Sequence, residues 1–277
     1  MSEQAPAGFR CAVLGDPIEH SLSPVLHPAA YGATGLEWTY DARCVPEGGL
    51  ADFLATLDDS WRGLSLTMQL KREVVPLLDE ASDYVRRAGA ANTVVIADRR
   101  RSGHNTDIPG AAAAIRERTD AELTRALVLG GGATATSVGL ALAGMGVRHV
   151  DVAVRSAARA QQTLEALADV VEAEAVDLAT ASPAGADIVV STIPASAQVA
   201  DLVAQCAQAP VVFEVVYDPW PTPLARAASE AGRVLVGGLD LLVHQAALQF
   251  ELFTGLTAPL EEMRAAGEEA LARRSAS

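Results

Sequence analysis

From Ala126 to Val147 the chain reads ALVLGGGATATSVGLALAGMGV, without one charged side chain. An uncharged run of that length can cross a bilayer as a single helix. Its composition argues against that: Gly, Ala, Ser and Thr dominate, and a glycine triplet stands near its start. The run divides better into a strand, ALVLG, a glycine turn and a buried Ala-rich helix. Gly130, Gly132 and Ala135 keep the spacing of a dinucleotide-binding turn. The first glycine permits the tight turn, the second admits a pyrophosphate to the backbone, and the small third residue lets helix pack on strand. Amides from Gly131 through Ala133 and Thr134 would face the phosphates at the helix N-terminus.

The same alternation of short apolar runs and helical stretches fills most of the chain and predicts an α/β protein with mainly parallel sheets. Before the glycine turn, CAVLG, WTYDARCV, GLSLTMQ and TVVIA read as strands, and Pro24–Ala33, Gly49–Leu57 and Glu73–Asp79 as helices. ADRRRSGHNTD reads as a turn between two strands with Arg99, Arg100 and Arg101 at its tip. After the glycine turn come VDVAV, a helix through Ala168, the fully apolar runs DIVVST and VVFEVVY, and RVLVGG. Helical spacing returns in LLVHQAALQFELF and Pro259–Arg273. Two domains are expected: residues 1–108 with 239–277, and a Rossmann-like dinucleotide-binding domain over 109–238.

The strand after the glycine turn selects the cofactor. An NAD site would end it with an acid for the ribose diol. Here VDVAV runs into Arg155 and Ser156, with Arg159 one turn later. Cationic and hydroxyl groups suit the 2′-phosphate of NADP, which a carboxylate would repel.

A formal charge of −14 disfavours nucleic acid and anionic membranes as partners. Three scattered cysteines, Cys11, Cys44 and Cys206, form no CxxC pair, so neither a disulfide framework nor a zinc site is expected. His104, His149 and His244 show no grouping with cysteine or carboxylate that would suggest a metal, and none is expected. The unpaired cysteines suit a reducing cytoplasm, the expected location, and the opening MSEQAPAGFR, with no basic stretch followed by an apolar core, is not expected to be a signal peptide.

Two polar residues stand at domain-edge positions. Lys71 follows GLSLTMQ, and Asp107 closes GHNTD. If these strand ends lie together, an ammonium and a carboxylate face one substrate oxygen and can pass it a proton while hydride moves. Near the start, GDPIEHSLSPVLHPAAY places Ser21 and Ser23 before the helix-starting Pro24, where hydroxyls either cap the helix or hold an anion.

With these motifs in order, and with GAANT, GLDLLVHQA, STIPA and YDPWPTPLA added, the chain resembles the shikimate dehydrogenase family from about Phe9 to Gly255. The resemblance implies reversible NADP-dependent reduction of 3-dehydroshikimate to shikimate, a step toward chorismate and the aromatic amino acids. It implies a cleft between the domains and a monomer or homodimer. It assigns Lys71 and Asp107 as the catalytic pair and Ser21 and Ser23 to the substrate carboxylate, with Tyr217 nearby. Ser65, Thr67, Asn92 and Gln245 match positions that meet ring hydroxyls and carboxylate, while Thr192 and Gly238 match the nicotinamide end. Taken singly, Asn92, Gln245 and Tyr217 also fit purely structural places.

The chain departs from the commonest family form at several positions. Ser65 stands for asparagine, Gln69 for proline, Thr136 for arginine, Val154 for asparagine and Asp240 for methionine. Gln69 is expected to free the torsion leading to Lys71, and Thr136 and Val154 to weaken adenosine-phosphate contacts. These departures keep open a quinate or aminoshikimate dehydrogenase of the same fold, and a catalytically idle NADP-binding regulator.

Overall fold

The structure, a computed structural model, describes residues 8–275. It divides into two compact units: one runs to Thr106 and resumes at Gln245, the other is Asp107–His244. The sequence puts these crossings at 108 and 238.

The first unit is built on β1 (Arg10–Gly15), α1 (Ser23–Thr34), β2 (Thr39–Cys44), α2 (Leu50–Ala55), β3 (Trp61–Leu66), α3 (Leu70–Glu73), β4 (Glu80–Ala81), α4 (Asp83–Ala88), β5 (Thr93–Ala97) and β6 (Arg100–His104). Its sheet has the order β2-β1-β3-β5-β6-β4. β1 pairs in parallel with β2 and β3, whereas β5 runs antiparallel to β3 and β6. The β5–β6 hairpin closes through Asp98 and Arg99, both at positive φ, so Arg100 and Arg101 belong to the strand and not to the tip. Burial of Ala12, Leu14, Leu64, Leu66 and Val94 against Leu50, Leu54 and Leu70 makes the core on one sheet face. The stretch Glu73–Asp79, expected as one helix, instead splits after α3 into a 3₁₀ turn at Val75–Leu77, where Pro76 lacks the amide to continue an α-helix.

The second unit contains α5 (Asp107–Arg118), β7 (Arg125–Leu129), α6 (Ala133–Gly144), β8 (His149–Val154), α7 (Gln161–Leu167), β9 (Glu172–Asp177), β10 (Ile188–Ser191), α8 (Ala200–Cys206), β11 (Val211–Glu214), α9 (Pro223–Glu230) and β12 (Val234–Val236). All pairings are parallel, in the order β12-β11-β10-β7-β8-β9. Read from β9 this is the 3-2-1-4-5-6 order of a dinucleotide-binding sheet, whose topological switch lies between β7 and β10. β9, absent from the expected strands, forms the edge: its sequence EAEAVD alternates acid with small apolar residues and stays largely exposed.

α10 (Gly238–Thr254) begins in the second unit and ends in the first; α11 (Leu260–Ser275) then packs on α1. Phe253 of α10 lies on β3 where Gly63 has no side chain; a Cβ there would fall 2.2 Å from the ring. Among the described residues no helix is long and apolar enough to cross a membrane.

Candidate active site and nucleotide site

In the first unit the candidate substrate residues gather where β1 and β3 end and β5 begins. Thr67 donates its amide to Leu14 O at 3.0 Å, Leu66 to Asn92 O at 2.8 Å, and Ala91 to Lys71 O at 2.7 Å. The backbone therefore brings Thr67, Lys71 and Asn92 together. Gly15 admits this: a Cβ on it would lie 2.6 Å from Thr67 Oγ1. Between Thr67 and Lys71, Met68 is 52% exposed and adopts φ 53°, a strained conformation for a residue other than glycine. Gln69 sits at φ −67°, a value that proline would also impose, so the freed torsion expected from its departure is not used.

Asn92 is the centre of a buried polar network. Its Oδ1 accepts from Thr106 N and Thr93 Oγ1, both at 2.8 Å, and its Nδ2 donates to Thr106 Oγ1 at 2.9 Å and Gln245 Oε1 at 3.1 Å. Gln249, one turn beyond Gln245 on α10, donates to Asn92 O at 3.1 Å and Thr93 Oγ1 at 3.0 Å. Ser65 completes the chain, donating to Gln249 Oε1 at 2.8 Å and accepting from the Tyr40 hydroxyl at 2.6 Å. Tyr40, Thr106 and Gln249 were not singled out in the sequence; for Gln249 the signal was there, as a second glutamine at i+4 on a helix face that is otherwise apolar. Burial pushes the Tyr40 phenol up, so it stays a hydrogen-bond donor. His27 stacks on Tyr40 with ring centroids 4.1 Å apart, and burial pushes its imidazole down to about 3 despite the Gln249 amide beside it.

Ser21 and Ser23 flank Leu22, the N-cap of α1, which itself makes no side-chain cap. Ser21 Oγ accepts from Ser23 N, the first amide of α1, at 3.3 Å, and Ser23 is buried. Neither serine occupies the N-cap position itself, but Ser21 holds one amide at the helix start.

In the second unit the switch point has the close packing that glycines allow. Gly130 follows β7 at φ 107°, and a Cβ on it would lie 2.3 Å from Thr192 Oγ1, which follows β10. Gly131 approaches Arg159: a Cβ would fall 2.3 Å from the Arg159 carbonyl oxygen. Gly132 caps α6 and has open space where a Cβ would stand, so the helix N-terminus beginning Ala133–Thr134 is accessible. Arg155, Ser156 and Arg159 are exposed just past the end of β8. A backbone cradle, a twelve-residue helix start and two exposed guanidinium groups without an acid at the strand end fit a dinucleotide carrying a further phosphate. Thr136 is fully buried, and its hydroxyl lies 2.8 Å from Thr163 Oγ1 on α7. Val154 is likewise buried.

Tyr217 is half-buried in the loop after β11. Gly238 opens α10 so close to β11's exit that a Cβ would lie 2.2 Å from Val215 O. Asp107, buried, is the first residue of α5 and follows Thr106 of the Asn92 network directly.

Two histidines that look isolated in the sequence meet carboxylates in the fold. His149 lies 3.0 Å from Asp151 and 3.6 Å from Glu174, and Arg125 also pairs with Asp151 at 2.8 Å; His244 lies 2.6 Å from Glu117. His149 opens β8, at the sheet edge opposite the glycine turn, and the His244–Glu117 contact joins α10 to α5.

The sequence matches three family models: the shikimate dehydrogenase substrate binding domain over residues 13–94, shikimate / quinate 5-dehydrogenase over 112–210, and the shikimate 5′-dehydrogenase C-terminal domain over 238–266. A shikimate dehydrogenase (NADP(+)) of Bacillus cereus is 32% identical over 91% of this chain and 95% of its own. The crystal structure of Mycobacterium tuberculosis shikimate dehydrogenase superposes with a TM-score of 0.88 at 37% identity, covering 94% of this chain and 99% of that one. A quinate dehydrogenase from Corynebacterium glutamicum, solved in complex with NAD, gives 0.86 at 30% identity over 95% of this chain and all of that one, 100%.

Proposed function

The chain belongs to the shikimate dehydrogenase family, and we propose that it catalyses the reversible NADPH-dependent reduction of 3-dehydroshikimate to shikimate. The observation that carries this reading is the buried Asn92–Gln245 amide pair beside the backbone that delivers Thr67 and Lys71. Such a cluster suits a small polyol, because hydroxyl recognition in a buried place needs fixed amide and hydroxyl partners.

NADPH, when bound, supplies the hydride. Gly130–Thr134 hold its pyrophosphate through backbone amides and the start of α6, Arg155, Ser156 and Arg159 take the 2′-phosphate, and Thr192 and Gly238 line the nicotinamide end. Lys71 gives a proton to the substrate's carbonyl oxygen and takes it back in the reverse direction. Asp107 is the second member of the catalytic pair. Ser21, Ser23 and Tyr217 receive the carboxylate, while Ser65, Thr67, Asn92 and Gln245 meet the ring. Both amide hydrogens of Asn92 are already engaged, so Asn92 meets a ring hydroxyl by exchanging one of these partners. The enzyme works in the cytoplasm as a monomer or homodimer, a location consistent with three free cysteines.

A second reading is favoured by Ser65, whose hydroxyl is held by Tyr40 and Gln249 and offers less to a ring than asparagine would. Quinate could then compete with shikimate. Initial rates of NADPH formation with each acid test the two: faster turnover of shikimate supports the first, faster turnover of quinate the second. A protein that binds NADPH yet turns over neither would instead be an idle homologue.

A further inference from the structure

We infer that Asp240 is a positioning residue for the cofactor: clamped by Arg118, it fixes the Gly237–Gly238 turn at the end of β12. This rests on reading the second unit as the NADP(H) site. Gly130, Thr192, Val215 and Gly237 follow β7, β10, β11 and β12, along the carboxyl edge of one parallel sheet, where such sheets take their ligands. With the pyrophosphate at Gly130 and the adenosine side at Arg155 after β8, the direction from β10 to β12 is left for the nicotinamide half.

The Gly237–Gly238 turn is held from two sides. Gly238 packs backbone against backbone on Val215, with no room for a side chain. Asp240, only 4% exposed, stands in the first turn of α10. Its Oδ2 accepts from Gly237 N at 2.9 Å while its own amide donates to Gly237 O at 3.0 Å. That is the acidic half of a capping box, and a carboxylate there is further favoured by the helix dipole. Arg118, the last residue of α5, then grips the carboxylate with Nη2 at 2.6 Å from Oδ1 and Nε at 3.1 Å from Oδ2. The Glu117–His244 contact ties the same two helices about one turn farther on.

A buried acid beside a site for a polyanionic nucleotide is costly unless it is neutralised. The two-pronged guanidinium does this and leaves the carboxylate free to hold the Gly237 amide. Neither side chain need touch the nucleotide; the pair acts through the backbone of the turn.

The variants D240N, R118A and R118A/D240N would be checked for folding by circular dichroism and thermal melting. NADPH binding would be titrated by its fluorescence, and the KM values for NADPH and 3-dehydroshikimate measured separately. D240N should fold and weaken NADPH binding about fivefold, with the KM for 3-dehydroshikimate within about twofold, as expected when one charged hydrogen bond becomes a neutral one at the cofactor side alone. R118A should be weaker still, by about twentyfold, because it removes the guanidinium that faces both oxygens of a buried carboxylate, and the double variant should return to the D240N level. Wild-type affinity in D240N, or a double variant no better than R118A, would overturn the inference while leaving the NADP reading intact. A wild-type protein that binds no NADPH would overturn both.

Discussion

Gly131 and Arg159 touch across the nucleotide half: a single added carbon on the glycine would stand 2.3 Å from the arginine's carbonyl oxygen. The turn that follows β7 and the arginine loop that follows β8 are therefore one packed piece. Cofactor affinity and phosphate discrimination should fail together when it is prised apart.

Gly131→Ala must push that loop away. NADPH affinity should fall about tenfold or more, since the obstacle is backbone and cannot rotate aside. Arg155→Ala should leave NADH binding unchanged and cost NADPH about 1.5–3 kcal/mol, the usual range for one charged hydrogen bond. Fluorescence titration with both nucleotides measures each effect.

Lys71→Ala should reduce turnover by about a hundredfold to ten-thousandfold, the range for losing a general acid. Shikimate affinity, measured by calorimetry, should change far less. Unchanged turnover would remove Lys71 from the proton-transfer role.

His27 sets an acid limit on stability. Its folded imidazole titrates at about 3, against an ordinary value near 6.5. Between these values the unfolded chain binds a proton that the folded chain refuses, so stability falls as pH drops below about 6.5, by up to about 1.4 kcal/mol per pH unit. Denaturant melts at pH 7 and pH 5 should show His27→Phe, which keeps a ring on Tyr40, losing about 2 kcal/mol less than wild type over that interval.

Gly63→Ala places a methyl group inside the Phe253 ring's space. Both residues are buried, so overpacking should cost about 1–3 kcal/mol and lower the melting temperature. Thermal melting of the variant checks the seat of α10 on the first sheet.

Much of this was legible in the chain. ALVLGGGATA announced β7, the turn and α6 because each residue there is limited by packing or backbone freedom. β9 was not, since EAEAVD lies on a sheet edge and carries no continuous apolar signal. Asn92, Thr67 and Lys71 stood inside recognisable motifs, but the backbone bonds that gather them, Thr67 to Leu14, Leu66 to Asn92 and Ala91 to Lys71, depend on how β1, β3 and β5 pair, which no local pattern dictates. Tyr40, Thr106 and Gln249 escaped for the same reason: polar residues from three elements meet only after the sheet forms. The contact of Thr136 with Thr163 was equally invisible, since it joins α6 to α7 across 27 positions of the chain. Asp240 needed its partner 122 positions earlier in the chain before its carboxylate made sense.

The most direct measurement is the rise in absorbance of NADPH when the purified protein meets shikimate and NADP⁺, run beside quinate and beside NAD⁺. Shikimate with NADP⁺ should give a kcat/KM about tenfold or more above either substitution, a difference of about 1.4 kcal/mol in transition-state binding. No turnover of shikimate, or a preference for quinate with NAD⁺, would contradict the assignment.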